Sequence, residues 1–372
     1  MTPGPLHTPL CDLLGIQHPI LMAGMGGVAT ADLAAAVSEA GGLGIIGAAA
    51  MDGDEIRRQV RRLRDLTDRP FGVDILLPTG VETPRPPADG KGAPRTPSLS
   101  GPYGRWLDEV YAEFGLGKPD TGTRSSRGAF SSEFTSGQVE AVIDEQVPVF
   151  AAGLGDPAPY ISDVRAYGGR VIALVGNVRN ARRVAAGGVD VVVAQGTEAG
   201  GHTGRIGAMA LVPQVVDAVA PTMVAAAGGI GDGRGLVAAL ALGAVGAWVG
   251  TAFLVSREAS WPESLKQRVL DAGEEDTRVT RLYSGKTMRN ITNPLIERWE
   301  SSGLAALPMG PQLAIANRLQ KAAIAADRID LTMNPAGQVS GMLHEIRPAA
   351  DIMADLVQDA TVVLERLRAQ PS

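Results

Sequence analysis

The chain reads as an α/β protein, a TIM (β/α)8 barrel with a long insertion after its third strand and a C-terminal helical subdomain. Three observations carry that expectation. Short apolar runs of strand length recur eight times, and helical patterns separate most of them. The units together occupy roughly 240 residues, the size of one closed barrel. Several helices also close on glycine just before the next strand, at Gly41-Gly42, Gly168-Gly169, Gly187-Gly188 and Gly243. Glycine enters the left-handed conformation that ends a helix without steric cost. A doubly wound open sheet is the rival architecture, and eight regular units fit closure better.

Taken in order, the first run is PILMAG (19–24), followed by an amphipathic helix over 30–40. The second is LGIIGAA (43–49), with a charged helix over 54–65, and the third is FGVDILLP (71–78). The next three are 147–153, 171–176 and 189–195. The seventh is TMVAAAG (222–228), then a helix over 235–242, and the eighth run is 245–254. Residues 15–255 thus form the expected barrel core.

The connection 79–136 breaks this rhythm, since ordinary connections span only a few residues. Its first half, VETPRPPADGKGAPRTPSLSGP, is too polar and too rich in proline and glycine to fold alone. Its middle, 103–116, has helical spacing with Trp106, Leu107, Val110, Tyr111 and Phe114 on one side. Such a helix serves either as a lid over the catalytic face or as a decoration packed on a neighbour. Residues 256–372 are expected to complete the barrel with one helix and to add the helical subdomain. Helical patterns there cover 311–328 and 349–368, separated by NPAGQVSG (334–341).

Composition excludes several classes. A net charge of −6 and an aromatic content of 4% leave neither a basic footprint nor stacking platforms for nucleic acid. A single cysteine, Cys11, excludes an internal disulfide and a cysteine-based metal site. The stretch GLVAALALGAVGAWVGTAFLV (235–255) has membrane-spanning length, but Gly243, Gly246 and Gly250 divide it into a buried helix and a buried strand. Residues 1–9 lack the charged start and apolar run of a signal peptide. A cytoplasmic protein acting on a small molecule is the expectation, with oligomerisation left open.

The chemistry centres on VDVVVAQGTEAGGHTG (189–204). A β-branched apolar run buried on both faces delivers a loop loosened by Gly196, Gly200, Gly201 and Gly204. Gln195, Glu198 and His202 stand between those glycines at the catalytic end of the sixth strand. With no second histidine, cysteine or paired carboxylate nearby, His202 suits a general base or substrate anchor better than a metal. His7 and His18 precede the first strand, and His344 lies among charges, so all three read as structural or solvated. After the seventh strand comes GGIGDG (228–233), whose backbone N–H groups favour an anion. Gly250-Thr251 adds another N–H and a hydroxyl. Barrels commonly bind phosphate after strands seven and eight, so these loops point to a phosphate monoester, most simply that of FMN. GMGGVA (24–29) imitates a dinucleotide fingerprint, but the acid that should follow about twenty residues on is missing.

These residues resemble a known family. AQGTEAGGHTG (194–204) looks like the signature of nitronate monooxygenases, which are FMN-dependent barrels. The segments 19–48 and 226–253 resemble their N-terminal and FMN-phosphate regions, with weaker echoes in SGKTMRN (284–290) and NPAGQ (334–338). The resemblance implies that His202 is the catalytic histidine. It implies that Gln195 and Gly200 touch the flavin, that Met22, Ala23 and Gly24 lie along its ring, and that Gly229, Gly250 and Thr251 hold its phosphate. Asp74 stands where those enzymes usually carry a flavin-contacting asparagine. An aspartate there is expected to place negative charge beside an anionic flavin and an anionic nitronate.

Two enzymatic activities follow from the resemblance. In one, an alkyl nitronate gives an electron to FMN, O2 reacts, and a carbonyl compound and nitrite leave. In the other, FMN passes hydride to or from an acyl-CoA, as in the similar CoA-thioester branch of steroid-ring breakdown. VDILLP (73–78), the insertion and TRSS (123–126) look closer to that branch, and Arg85, Arg95, Arg105, Arg124 and Arg127 are candidates for CoA phosphates. A non-catalytic flavin-binding protein is the third class.

Overall fold

Eight parallel strands form the barrel: β1 (Ile20–Met22), β2 (Gly44–Gly47), β3 (Phe71–Leu76), β4 (Val149–Gly153), β5 (Arg170–Val175), β6 (Val191–Gln195), β8 (Met223–Ala227) and β9 (Gly246–Val249). The intervening β7 (Gly201–His202) lies outside it. This is a computed structural model, and it describes residues 4–78, 101–119 and 131–369. The strands run in the order β1-β9-β8-β6-β5-β4-β3-β2. A parallel bridge Leu21↔Leu43 then joins the two ends. There the Leu43 N–H donates to Ile20 O and the Met22 N–H to Leu43 O, both at 2.9 Å. That closure excludes the open sheet and the dinucleotide fold that GMGGVA imitates.

Side chains alternate across the barrel wall, as strand geometry requires. Val73 and Ile75 pack outward under the helices, together with Ile20, Met22, Val192 and Val224. Leu21, Ile45, Val149, Ile172, Val193 and Trp248 point inward and fill the interior. The expected glycine closures are present: Gly41, Gly168, Gly188 and Gly243 have φ between 87° and 97°.

The eighth strand is shorter than the apolar run that announced it. It stops at Val249, and Thr251–Leu254 is a turn of helix whose Phe253 and Leu254 N–H groups donate to Gly250 O. A buried helical turn and a buried strand have the same hydropathy, so the run could not separate them. No helix among the described residues is long and apolar enough to cross a membrane.

The last helix, Ala349–Ala369, completes the ring by packing against Ala31–Glu39 and Gly233–Ala241. The contact with the latter is backbone-close. A Cβ on Gly233 would lie 2.1 Å from the Ala360 nitrogen.

A second apolar cluster builds the C-terminal addition. The helix within the insertion, Pro102–Glu113, buries Trp106, Leu107, Val110 and Tyr111, four of the five residues on its expected face. It rests on Pro294–Glu300, with Trp106 and Trp299 in edge-to-face contact at 5.2 Å, and Arg298 pairs with Glu109 and Glu113. The helix is thus a packed part of the flank. The insertion's Arg85, Arg95, Arg124, Arg127 and the run 123–126 lie outside the described residues, and Arg105 is exposed on the helix. Sequence reasoning missed a hairpin, β10 (Thr277–Thr280) and β11 (Met288–Ile291), which pairs antiparallel through β11 with β7.

Substituting Gly233→Ala should lower stability by about 1–3 kcal/mol, the usual range for an overpacked interior. Urea unfolding of the variant checks this, and an unchanged midpoint would mean the last helix is not seated as described.

Candidate active site

The loop that leaves β6 is braced at both ends before it reaches β7. Gln195 Nε2 donates to His202 O at 2.6 Å, the Thr203 hydroxyl donates to Gly196 O at 2.9 Å, and the Thr197 N–H donates to Ile206 O at 2.8 Å. β11 then clamps β7 in the register His202↔Met288. Beside it the Thr203 N–H donates to Thr287 O and the Thr287 hydroxyl returns a bond to Thr203 O. The turn between β10 and β11 carries Ser284, buried at 2% exposure, whose Oγ lies 2.7 Å from His202 Nε2. Burial holds the His202 imidazole down at about 4, and the nearby Lys286 charge pushes the same way. The ring is therefore neutral at neutral pH. Ser284 occupies one ring nitrogen, which leaves Nδ1 for the complementary role.

Small residues line the barrel interior above its apolar filling. Ala23, Gly47, Gly153 and Ala227 stand at or near the C-terminal ends of their strands. Asp74 of β3 faces this space, 7% exposed, and its Oδ1 has no hydrogen-bond partner. Gly24 packs directly on it: a Cβ there would come within 2.3 Å of Asp74 Cβ. No cation pairs with this carboxyl among the described residues, and burial pushes its pKa up to about 8. Asp74 is therefore largely protonated at neutral pH. Burial thus opposes the negative charge expected here, because a carboxylate deprived of water and partner favours its protonated form.

Three glycine-bearing loops meet beside this space. Gly228 and Gly229 adopt φ of 89° and 75° after β8, a conformation that favours glycine. The N–H groups of Gly229, Gly250 and Thr251 donate to no other described residue. The segment 334–338 presses in from the C-terminal region: Gly337 N–H donates to Thr251 Oγ1 at 2.9 Å and Gln338 N–H to Glu198 O at 3.0 Å. Gly200 has no room for a side chain, since its Cβ would lie 2.6 Å from the Ala336 carbonyl carbon. Glu198 turns away to cap the helix Ala208–Val219, both carboxylate oxygens accepting from the Ala208 N–H. Arg289 of β11 is buried, donating to Thr197 O and Thr277 Oγ1.

Most of the residues singled out in the sequence thus share one end of the barrel: Ala23, Gly24, Asp74, Gln195, Gly200, His202, Gly229, Gly250 and Thr251. Met22 is there only through its backbone, since its side chain is fully buried in the layer under the helices. His7 pairs with Asp12, His344 is exposed, and half-buried His18 stands at the opposite end before β1. No metal-binding group of acids, cysteines and histidines occurs among the described residues. Ser284, Glu198 and Arg289 were not assigned roles in advance: Ser284 and Arg289 arrive through the β7–β11 pairing, and Glu198 through its cap on the helix Ala208–Val219.

The donor set fits a flavin mononucleotide. Backbone N–H groups without a described partner suit its phosphate, glycine and alanine leave space for a flat ring, and the Asp74 carboxyl and the Gln195 amide are polar groups that a flavin ring could meet.

The nitronate monooxygenase family model spans residues 7–359. A Mycobacterium tuberculosis protein named (3aS,4S,5R,7aS)-5-hydroxy-7a-methyl-1-oxo-octahydro-1H-indene-4-carboxyl-CoA dehydrogenase is 32% identical over 97% of this chain and 98% of its own. Nitroalkane oxidase from Streptomyces ansochromogenes superposes with a TM-score of 0.79 at 32% identity, covering 96% of this chain and 99% of that one. FabK from Thermotoga maritima superposes at 0.75 with 33% identity, covering 97% and 98%. Fold, site and relatives define an FMN-dependent oxidoreductase built on a (β/α)8 barrel. Within that class the chain belongs to the nitronate monooxygenase family.

The raised Asp74 pKa has a stability consequence. The folded protein holds this proton up to about 8, whereas the unfolded chain releases it near the ordinary 3.8. Stability from this group is fully present below the unfolded value and is lost as pH rises through the folded one. Asp74→Asn apoprotein should therefore melt above the parent at pH near 8, with the gap closing toward pH near 4. Equal gaps at both ends in thermal melts would contradict the burial described for this carboxyl.

Proposed function

We propose that the protein binds FMN at the C-terminal mouth of its barrel and oxidises alkyl nitronates with O2, releasing a carbonyl compound and nitrite. The observation that carries this reading is His202 fixed at the mouth, its Nε2 2.7 Å from Ser284 Oγ, with the buried Asp74 carboxyl facing the same space and no cation paired to it among the described residues. Asp74 is kept neutral by burial, so it can donate a hydrogen bond much as asparagine would. His202 is also neutral, and the Lys286 charge lies close enough to act on it.

In this reading Gly229, Gly250 and Thr251 hold the phosphate. The backbone of Met22 to Gly24 would line the flavin site, and Gln195, Gly200 and Asp74 would offer it polar contacts. FMN, when bound, supplies the electron acceptor. His202 accepts the α-proton of a neutral nitroalkane or donates a hydrogen bond to the nitro oxygens of a nitronate. Ser284 fixes the imidazole, and Gln195 fixes the backbone that carries it.

A second reading is hydride transfer involving an acyl-CoA. It is favoured by the near-full-length similarity to the Mycobacterium tuberculosis protein, whose name specifies an acyl-CoA.

Flavin-loaded protein should release nitrite from an alkyl nitronate in air. His202→Asn should cost about 10²–10⁴-fold on the neutral nitroalkane, where a proton must be taken, and far less on the preformed nitronate. No nitrite from either substrate, with NADH oxidised instead, would sink the nitronate reading.

The same site sets a pH profile. For the nitronate, kcat/KM should hold through neutral pH and fall above about 8 as Asp74 ionises. Asp74→Asn should remove that alkaline limb. A limb that survives the substitution would assign it to another group.

A further inference from the structure

The chain that follows β9 folds over a groove of about 750 Å³ lined in part by Arg257, Trp261, Glu263, Lys266 and Ile346. One wall leans on the loop after β1, where the Ser260 N–H donates to Val28 O at 2.9 Å. The groove therefore lies at the same end of the barrel as the candidate active site, and none of its lining residues belongs to that site. Its volume falls within the range of small-molecule sites.

The lining carries an unusual charge arrangement. Lys266 is 5% exposed, yet it makes no ion pair with any described residue. Its Nζ donates to Ser256 O at 2.7 Å and more distantly to Arg257 O at 3.4 Å. An ammonium carries three N–H donors, so at least one is uncommitted. A buried cation without a carboxylate partner is costly unless an anion compensates it. Arg257 is exposed, and its guanidinium has no ion pair or hydrogen bond to a described residue. Trp261 is half-buried, and Glu263 is an exposed carboxylate on the rim.

We propose that this groove binds the adenosine diphosphate portion of a nucleotide. Lys266 and Arg257 take the phosphates through charge-assisted hydrogen bonds. Trp261 offers an aromatic face to the purine, an interaction that tolerates any base. Glu263 accepts from the ribose hydroxyls, the role an acidic residue plays in many dinucleotide sites. Burial lowers the Lys266 pKa while Glu258 and Glu263 act the other way, and a bound phosphate would favour the charged form further. The chemistry is common to coenzyme A, to nicotinamide dinucleotides and to free ADP. Nitronate oxidation by O2 requires none of them, so this site stands independently of that reading.

The test is calorimetric titration of FMN-loaded protein with ADP, coenzyme A and NAD⁺ in separate experiments. Saturable ADP binding is expected, weakened about tenfold or more by Arg257→Ala and by Trp261→Leu, with FMN content and nitrite release unchanged. Tighter binding of coenzyme A than of ADP assigns the groove to an acyl carrier, and tighter binding of NAD⁺ assigns it to a nicotinamide reductant. Absence of heat with all three titrants overturns the proposal. So does binding that both variants leave intact, since it would place the nucleotide elsewhere.

Discussion

The structure depends on the antiparallel pairing of two-residue β7 with β11. His202 belongs to a glycine-loosened loop that could not hold a ring in place by itself. Pairing with Met288 and Arg289 adds a second backbone anchor to that given by Gln195. The same hairpin brings Ser284 to the imidazole. Its far side belongs to the second apolar cluster, through Leu282, Tyr283 and Met288. The hairpin, seated on the second apolar cluster together with the helix of the insertion, therefore positions the histidine.

Burial does the other half of the work. Two titratable groups stand near the mouth with little solvent and no ion-pair partner among the described residues, and burial shifts the pKa of each toward its neutral form. For His202 this means an imidazole able to accept a proton. For Asp74 it means a carboxylic acid in place of a carboxylate. The close approach of Gly24 and the wall of small residues set that environment, so the electrostatics of the site follow from packing rather than from a designed pair of charges.

Much of this was legible in the residues, because barrel strands and their glycine stops are local signals. All eight strands and the left-handed glycines at 41, 168, 188 and 243 follow from apolar runs and helix endings. The strand-eight boundary failed because Thr251–Leu254 is as apolar as the strand before it. The hairpin escaped notice because TRVT and MRNI are short and carry polar residues, and the partner of MRNI, β7, lies far upstream in the chain. Asp74 was identified as a departure from the usual asparagine, but the burial that raises its pKa was not legible there. Identity alone does not reveal burial, and burial decides whether an aspartate is an anion.

The central claim is that this mouth, once loaded with FMN, takes electrons from an anionic nitronate. The most direct measurement is the flavin absorbance of FMN-loaded protein titrated anaerobically at neutral pH, first with an alkyl nitronate and, in a separate sample, with an acyl-CoA. The account predicts that the nitronate changes the flavin spectrum in the absence of O2. A spectrum indifferent to the nitronate but altered by the acyl-CoA would contradict it.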